Sequence, residues 1–205
     1  MSQSHSATRE LILECAREEF LQKGYQAASL RSIVSKASVT TGALYGHFKN
    51  KEDLFDALVG EVYHHTFALY SDLLQQFFKL PPREQQEKMA DYSARGMEQM
   101  SVYLYEHEEA FRLLLCCSEG TNYAHMVEDL ARMDVQATHD FEDAVDSIGT
   151  DVQRVHPILE QVLTTNMFSS FFDLIVRDVP REEADAYIRQ LLTFYAGGWM
   201  QVMGL

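Results

Sequence analysis

From Asn50 to Leu80 the chain holds no proline, and Leu54, Leu58, Val62, Leu69, Leu73, Leu74 and Phe77 recur at helical spacing. Read as one helix of about 29 residues, this stretch would be roughly 44 Å long. The four prolines of the chain, Pro81, Pro82, Pro157 and Pro180, stand between such stretches rather than inside them. Alternation of the kind a half-buried strand needs is absent over any useful length, as are repeats and low-complexity segments. A chain punctuated in this way is expected to be all-α, with about nine helices.

The remaining helices follow from the same signals. Thr8 is read as the cap of a first helix that carries Ile12, Ala16 and Phe20 on one face and stops at Lys23-Gly24. Two short helices come next, Leu30 to about Lys36 behind Ser29, and Thr41 to about Gly46 behind Thr40. After the long helix, helical pattern returns from about Arg83 to Leu104, Glu108 to Cys117 and Tyr123 to Ile148. Pro157 and Pro180 open the last two, over about 157–178 and 181–203. Paired apolar residues in the first of these, such as Val162/Leu163 and Phe171/Phe172, form a stripe wide enough to bury on two sides.

Charge divides the chain. Residues 1–60 hold seven basic and seven acidic residues, so the remainder carries the entire net charge of −14. From Phe20 to Lys51 there is no carboxylate, while Lys23, Arg31, Lys36, Lys49 and Lys51 are present. If a polyanion is bound, the head must bind it, because the acidic body would repel it. No apolar run of about 18 residues appears, so no membrane span is expected. The polar start, MSQSHSATRE, lacks the apolar core of a signal peptide. Three cysteines, two of them adjacent, make no disulfide framework, and a reducing cytoplasm is the expected compartment.

Two short helices joined by a tight turn suit a helix-turn-helix, whose second helix enters the major groove by its N-terminal end. That helix here is TTGALYG. Thr41 offers a hydroxyl, Ala43 a methyl for a thymine contact, and Gly42 a close backbone approach that costs about 1 kcal/mol of helix propensity relative to alanine. Ser29 and Thr40 sit at helix N-termini, and Arg31, Tyr45, His47 and Lys51 are expected to reach the phosphate backbone.

VTTGALYGHFKNKEDLFDAL resembles the signature of the TetR family of transcriptional repressors. Its pattern, Val-Ser/Thr-x-Gly-x-Leu-Tyr-x-His/Tyr-Phe-x-x-Lys-Glu-x-Leu, is met by Val39, Thr40, Gly42, Leu44, Tyr45, His47, Phe48, Lys51, Glu52 and Leu54. Phe20, Gly24, Tyr25, Ile33 and Ala37 also fall where that family places its bracing residues, so the likeness covers about residues 8–60. Ser38 departs from it, standing where a turn glycine is usual; in a left-handed conformation serine costs on the order of 1 kcal/mol. The resemblance implies a DNA-binding domain over residues 1–50 and a helical effector-binding and dimerisation domain over 51–205. It also implies a homodimer on a palindromic operator and a small-molecule effector. The last two helices would pair with those of a second copy, and Val162, Phe172, Ile175, Leu192, Tyr195 and Trp199 are the candidate contacts, with Gly197-Gly198 allowing close approach.

The body is rich in aromatic and sulfur side chains, which suit an adaptable apolar pocket. Candidate effector contacts are Phe67, Met97, Tyr103, Phe111 and Cys116, together with Tyr123, Met126, Met167, Phe168 and Phe171. Cys116, Cys117, His64, His65, His125 and His139 match no zinc spacing, and adjacent cysteines on a helix point about 100° apart, so no metal is expected. Sensing through the Cys116-Cys117 thiols or a metal stays open as an alternative, as does a helical ligand-binding or adaptor protein that does not read DNA. No nucleophile–base pair or phosphate loop is visible, so neither an enzyme nor a cofactor is expected. The reading is a repressor released from its operator by a small apolar or amphipathic ligand.

Overall fold

A computed structural model of the chain describes residues 2–204, with side chains from His5 onward. The described residues form nine helices and no strand. They are α1 (Ser2–Ala27), α2 (Leu30–Lys36), α3 (Thr41–His47), α4 (Lys51–Phe78), α5 (Pro82–Glu106), α6 (Glu108–Cys116), α7 (Met126–Asp146), α8 (Pro157–Val176) and α9 (Arg181–Met203). The all-α expectation holds, and the long helix after Asn50 is present.

Boundaries differ where local signals competed. Helix α1 begins at Ser2, so Thr8 lies within it rather than at its cap position. Gly24 has φ of 71° and breaks α1 where the sequence signals a stop; the last residues to Ala27 are a separate turn beyond that kink. Helix α7 starts at Met126, because the segment before it is held in turns by Thr121, whose hydroxyl donates to the Ser118 carbonyl at 2.7 Å and accepts from the Tyr123 N–H at 3.1 Å. Asn50 caps α4 as its side chain suggests, accepting from the Asp53 N–H at 2.8 Å, while Asp53 accepts in return from the Lys49 N–H at 2.8 Å.

By contact the chain divides into two compact units. The first comprises residues 1–65 and 107–124, the second residues 66–106 and 125–205. The expected division at residue 50 is one of function; the units instead divide α4 near its middle, and α6 belongs with the N-terminal helices.

In the first unit α1 packs on α2, α3 and α6. Its core is aromatic: the Phe20 ring meets Phe55 edge-on at 5.1 Å, and both lie against Tyr25. Phe20 and Phe55 are fully buried, and burying such a side chain contributes about 1.5–3 kcal/mol. The Tyr25 N–H donates to the Cys117 carbonyl at 2.8 Å, and the Tyr123 hydroxyl donates to Asp56, so the segment after α6 is tied to α1 and α4.

In the second unit α7 packs on α8 and α5, and α9 on α5 and α8. Arg154 bonds Glu142, Asp143 and Asp146 and so holds the α7–α8 connection against α7. The Tyr105 hydroxyl donates to the Val179 carbonyl, and the Tyr187 hydroxyl to that of Ser170. Gly96 lets α5 approach α4 closely, since a Cβ there would stand 3.3 Å from the Leu73 side chain.

Candidate nucleic-acid interface and ligand cavity

Three apolar side chains set the pose of α3. Ile33 of α2, Leu44 of α3 and Phe48 just after it are buried against α1, while Thr41, Gly42 and Tyr45 lie on the outer side. Tyr45 is 55% exposed, although it is one of the larger apolar surfaces of the head. Thr40 caps α3 by accepting from the Ala43 N–H at 3.1 Å, so its oxygen is engaged within the chain. Ser29 stands at the cap position of α2 without making a side-chain cap bond. Nothing inside the protein requires Gly42 to lack a side chain: a Cβ there would meet only the Thr40 hydroxyl, at an ordinary 3.8 Å. The His47 ring lies 4.0 Å from that of His5, and burial, with His5 and Arg9 nearby, lowers its pKa.

The cations of the acid-free stretch do not all face outward. Glu19, 0% exposed, sits at the junction of α1 and α2. It accepts from Lys23 at 2.6 Å, the Ser32 hydroxyl at 2.8 Å, Lys36 at 3.2 Å and the Ser29 N–H at 3.4 Å. Burial alone would push its carboxyl up; these donors overcome that and hold it down at about 2. One carboxylate therefore neutralises half the charge of Lys23 and Lys36. Arg31 and Lys49 remain exposed.

Lys51 is engaged within the chain. Its ammonium donates to the carbonyls of Tyr25 at 2.7 Å, Gln26 at 3.1 Å and Ala28 at 3.1 Å, and lies 4.5 Å over the Tyr25 ring. All three N–H donors are spent on the orphan carbonyls that end α1, so no donor is left for a phosphate. Its role is to close the first unit, and burial lowers its pKa accordingly.

The second unit holds a partly open cavity of about 180 Å³ between the latter half of α4 and helices α5, α7, α8 and α9. Met97 and Met167 line it, and so do Tyr70, Phe77, Tyr92 and Phe141. The other candidate effector residues lie elsewhere. Phe111 and Tyr123 are buried in the first unit, where Cys116 is exposed. Phe168, Phe171 and Met126 are fully packed core of the second unit, and neither Phe67 nor Tyr103 reaches the cavity wall. Helical spacing marks apolar faces but not which of two buried faces borders a void, so nothing in the sequence singles out Asp134 and Thr138 of α7, which line it.

The candidate dimer residues separate in the same way. Phe172 and Ile175 are each 1% exposed and pack inside their own unit. Leu192, Tyr195 and Trp199 line the cavity. Only Val162 faces outward, beside Ile158 and Leu159 on α8, and Phe194 does so on α9 at 75% exposed. Gly197 and Gly198 also lie on the outer side, and a Cβ on either would meet nothing within 4 Å. The wide stripe of α8 has two faces, an inner one with Phe172 and Ile175 and an outer one with Val162.

Among the described residues no group of three or more His, Cys, Asp or Glu is placed to hold a metal ion. Among the described residues no helix is long and apolar enough to cross a membrane either.

The head carries the strongest likeness to known proteins. Residues 12–58 match the family described as bacterial regulatory proteins, tetR family. The HTH-type transcriptional repressor KstR2 of Mycobacterium tuberculosis is 32% identical over 108 residues, 53% of this chain and 54% of that protein. The transposon Tn10 TetC protein of Escherichia coli is 46% identical over 55 residues, 27% of this chain and 28% of TetC. The chain thus spans about half the length of the first of these relatives and less of the second. A crystal structure of a transcriptional regulator from Aquifex aeolicus VF5 superimposes with a TM-score of 0.57 at 23% identity, covering 91% of this chain and 98% of that one. That likeness extends the fold beyond the head. With the turn, α3 and their bracing residues in register, residues 12–58 of this chain are similar to the tetR family of bacterial regulatory proteins.

Proposed function

We propose that the chain is a ligand-responsive transcriptional regulator, a repressor, that binds a palindromic DNA operator as a homodimer in the cytoplasm. The observation that carries this reading is the outer side of α3, where Thr41, Gly42 and Tyr45 stand free of any carboxylate on a helix braced by Leu44 and Phe48. Thr41 and Ala43 read base edges, Gly42 admits the helix backbone to the groove, and Ser29, Arg31, Tyr45 and Lys49 fix position on the phosphates. Thr40 and His47 hold the ends of the recognition helix in place.

The outward face of α8 and α9, with Ile158, Val162 and Phe194, supports pairing with a second copy. The cavity of the second unit is the effector site of this reading. Ligand there bears on α4, which is one continuous helix from Lys51 to Phe78 and begins beside the recognition helix. A shift of α4 would move two recognition helices off the spacing of about 34 Å that successive major grooves demand. A tenfold loss of operator affinity needs about 1.4 kcal/mol of coupling.

Selection from a pool of random duplex DNA tests it. Repeated rounds should enrich an inverted repeat with half-sites one helical turn apart, retained above random DNA as salt is raised. If no sequence is retained over random DNA at any salt concentration, the DNA-reading function falls.

A further inference from the structure

The cavity has one charge-bearing wall and no compensating cation. Among the described residues lining it there is no Lys, Arg or His, and Asp134 is its single carboxylate. Asp134 accepts from the Tyr70 hydroxyl, itself in the wall. Burial pushes the Asp134 carboxyl up, the Tyr70 bond pulls it down, and Glu160 nearby pushes it up further. Glu160 is 3% exposed; one of its oxygens meets His139 at 2.9 Å and the other has no hydrogen-bond partner. Asp134 thus stands at one side of a void whose remaining wall is mostly apolar, including the rings of Tyr92, Tyr195 and Trp199.

We propose that this cavity takes a compact lipophilic cation, an aryl or alkyl ammonium, with Asp134 as its counter-ion. The proposal rests on reading the cavity as the effector site and names the class of effector. An ammonium supplies the charge that Asp134 lacks, and ring faces around its apolar part attract it through their quadrupoles. A carboxylate or sulfonate would enter beside like charge with no cation to receive it. The volume, about 180 Å³, lies below the roughly 300–1,000 Å³ of sites for drug-sized molecules, so the ligand is small.

Trp199 is the only tryptophan of the chain and lines the cavity, so its emission reports occupancy directly. Three probes of nearly equal shape separate charge from size: phenyltrimethylammonium, neutral tert-butylbenzene and anionic benzenesulfonate. Titrated into the whole protein, the cation should change Trp199 emission and the sulfonate should not. Asp134→Asn should weaken the cation about tenfold and leave the hydrocarbon unchanged, with a far-ultraviolet dichroism spectrum like that of the parent. Binding of the sulfonate as tight as that of the cation overturns the proposal, and so does binding of the hydrocarbon alone, while either leaves the cavity as an effector site. Equal weakening of cation and hydrocarbon by Asp134→Asn also overturns it. If none of the three probes changes the emission, the effector-site reading fails and the proposal with it. Should Asp134→Asn not fold, the comparison of the three probes on the parent protein still decides.

Discussion

The Lys51 ammonium lies 2.7 Å from the carbonyl oxygen of Tyr25, across 26 positions of sequence, and over the ring of the same residue. One side chain thereby joins the first turn of α4 to the end of α1. Lys51→Ala would leave three carbonyls without that partner and remove a charge-assisted contact. A loss of about 2–3 kcal/mol is expected, read as a lower midpoint in urea. The salt dependence of DNA binding should keep its slope; a fall of about one unit would return Lys51 to the phosphate backbone.

Glu19 makes the head sensitive to acid. Its carboxyl titrates at about 2 in the folded protein, against an ordinary 4.5, so the unfolded chain takes up the proton first. The stability it contributes is whole above about 4.5 and is lost as pH falls toward 2. Glu19→Gln should cost on the order of 1–3 kcal/mol at neutral pH. It should also flatten the pH dependence of stability within that window, as followed by denaturant midpoints at a series of pH values. An unchanged slope with pH would exclude Glu19 as the titrating group.

Ser38 holds φ of 52° in the turn between α2 and α3, a conformation that favours glycine. Ser38→Gly should stabilise the protein by on the order of 1 kcal/mol, since a left-handed side-chain residue carries about that strain. A rise in thermal midpoint of a few degrees is the expected readout; a fall would mean that the serine side chain contributes more than its backbone costs.

Gly42 separates folding from recognition. Alanine there has room within the chain and should stabilise α3 by about 0.5–1 kcal/mol. Its methyl would stand where a base edge approaches, so DNA affinity should fall about tenfold or more, measured by anisotropy of a labelled operator duplex. Affinity that rises with stability would remove Gly42 from the interface.

Phe194 and Trp199 test which face of α9 pairs. Phe194→Asp, on the outer side, should shift sedimentation to the monomer while the fold is kept. Trp199→Asp places a charge in the cavity wall and should destabilise the second unit instead. A dimer that survives Phe194→Asp would move the interface away from this face.

The sequence by itself determined the helices and the helix-turn-helix head. Proline placement, apolar spacing and the caps at Thr40 and Asn50 are local features, and local features survive without knowledge of the fold. The strain at Ser38 was legible for the same reason: it depends on a backbone turn a few residues long. The tertiary structure decided the rest, because partners distant in sequence decide what a side chain is free to do. The residue type of Lys51 suits a phosphate contact, whereas the carbonyls of Tyr25, Gln26 and Ala28 take its donors. Phe172 and Trp199 share the apolar character of Phe194, yet one is core, one borders a cavity and one faces outward. Periodicity says that a face is apolar. Only the packing of α4, α5, α7 and α9 around a void leaves Asp134 at its wall and shows which apolar faces remain uncovered.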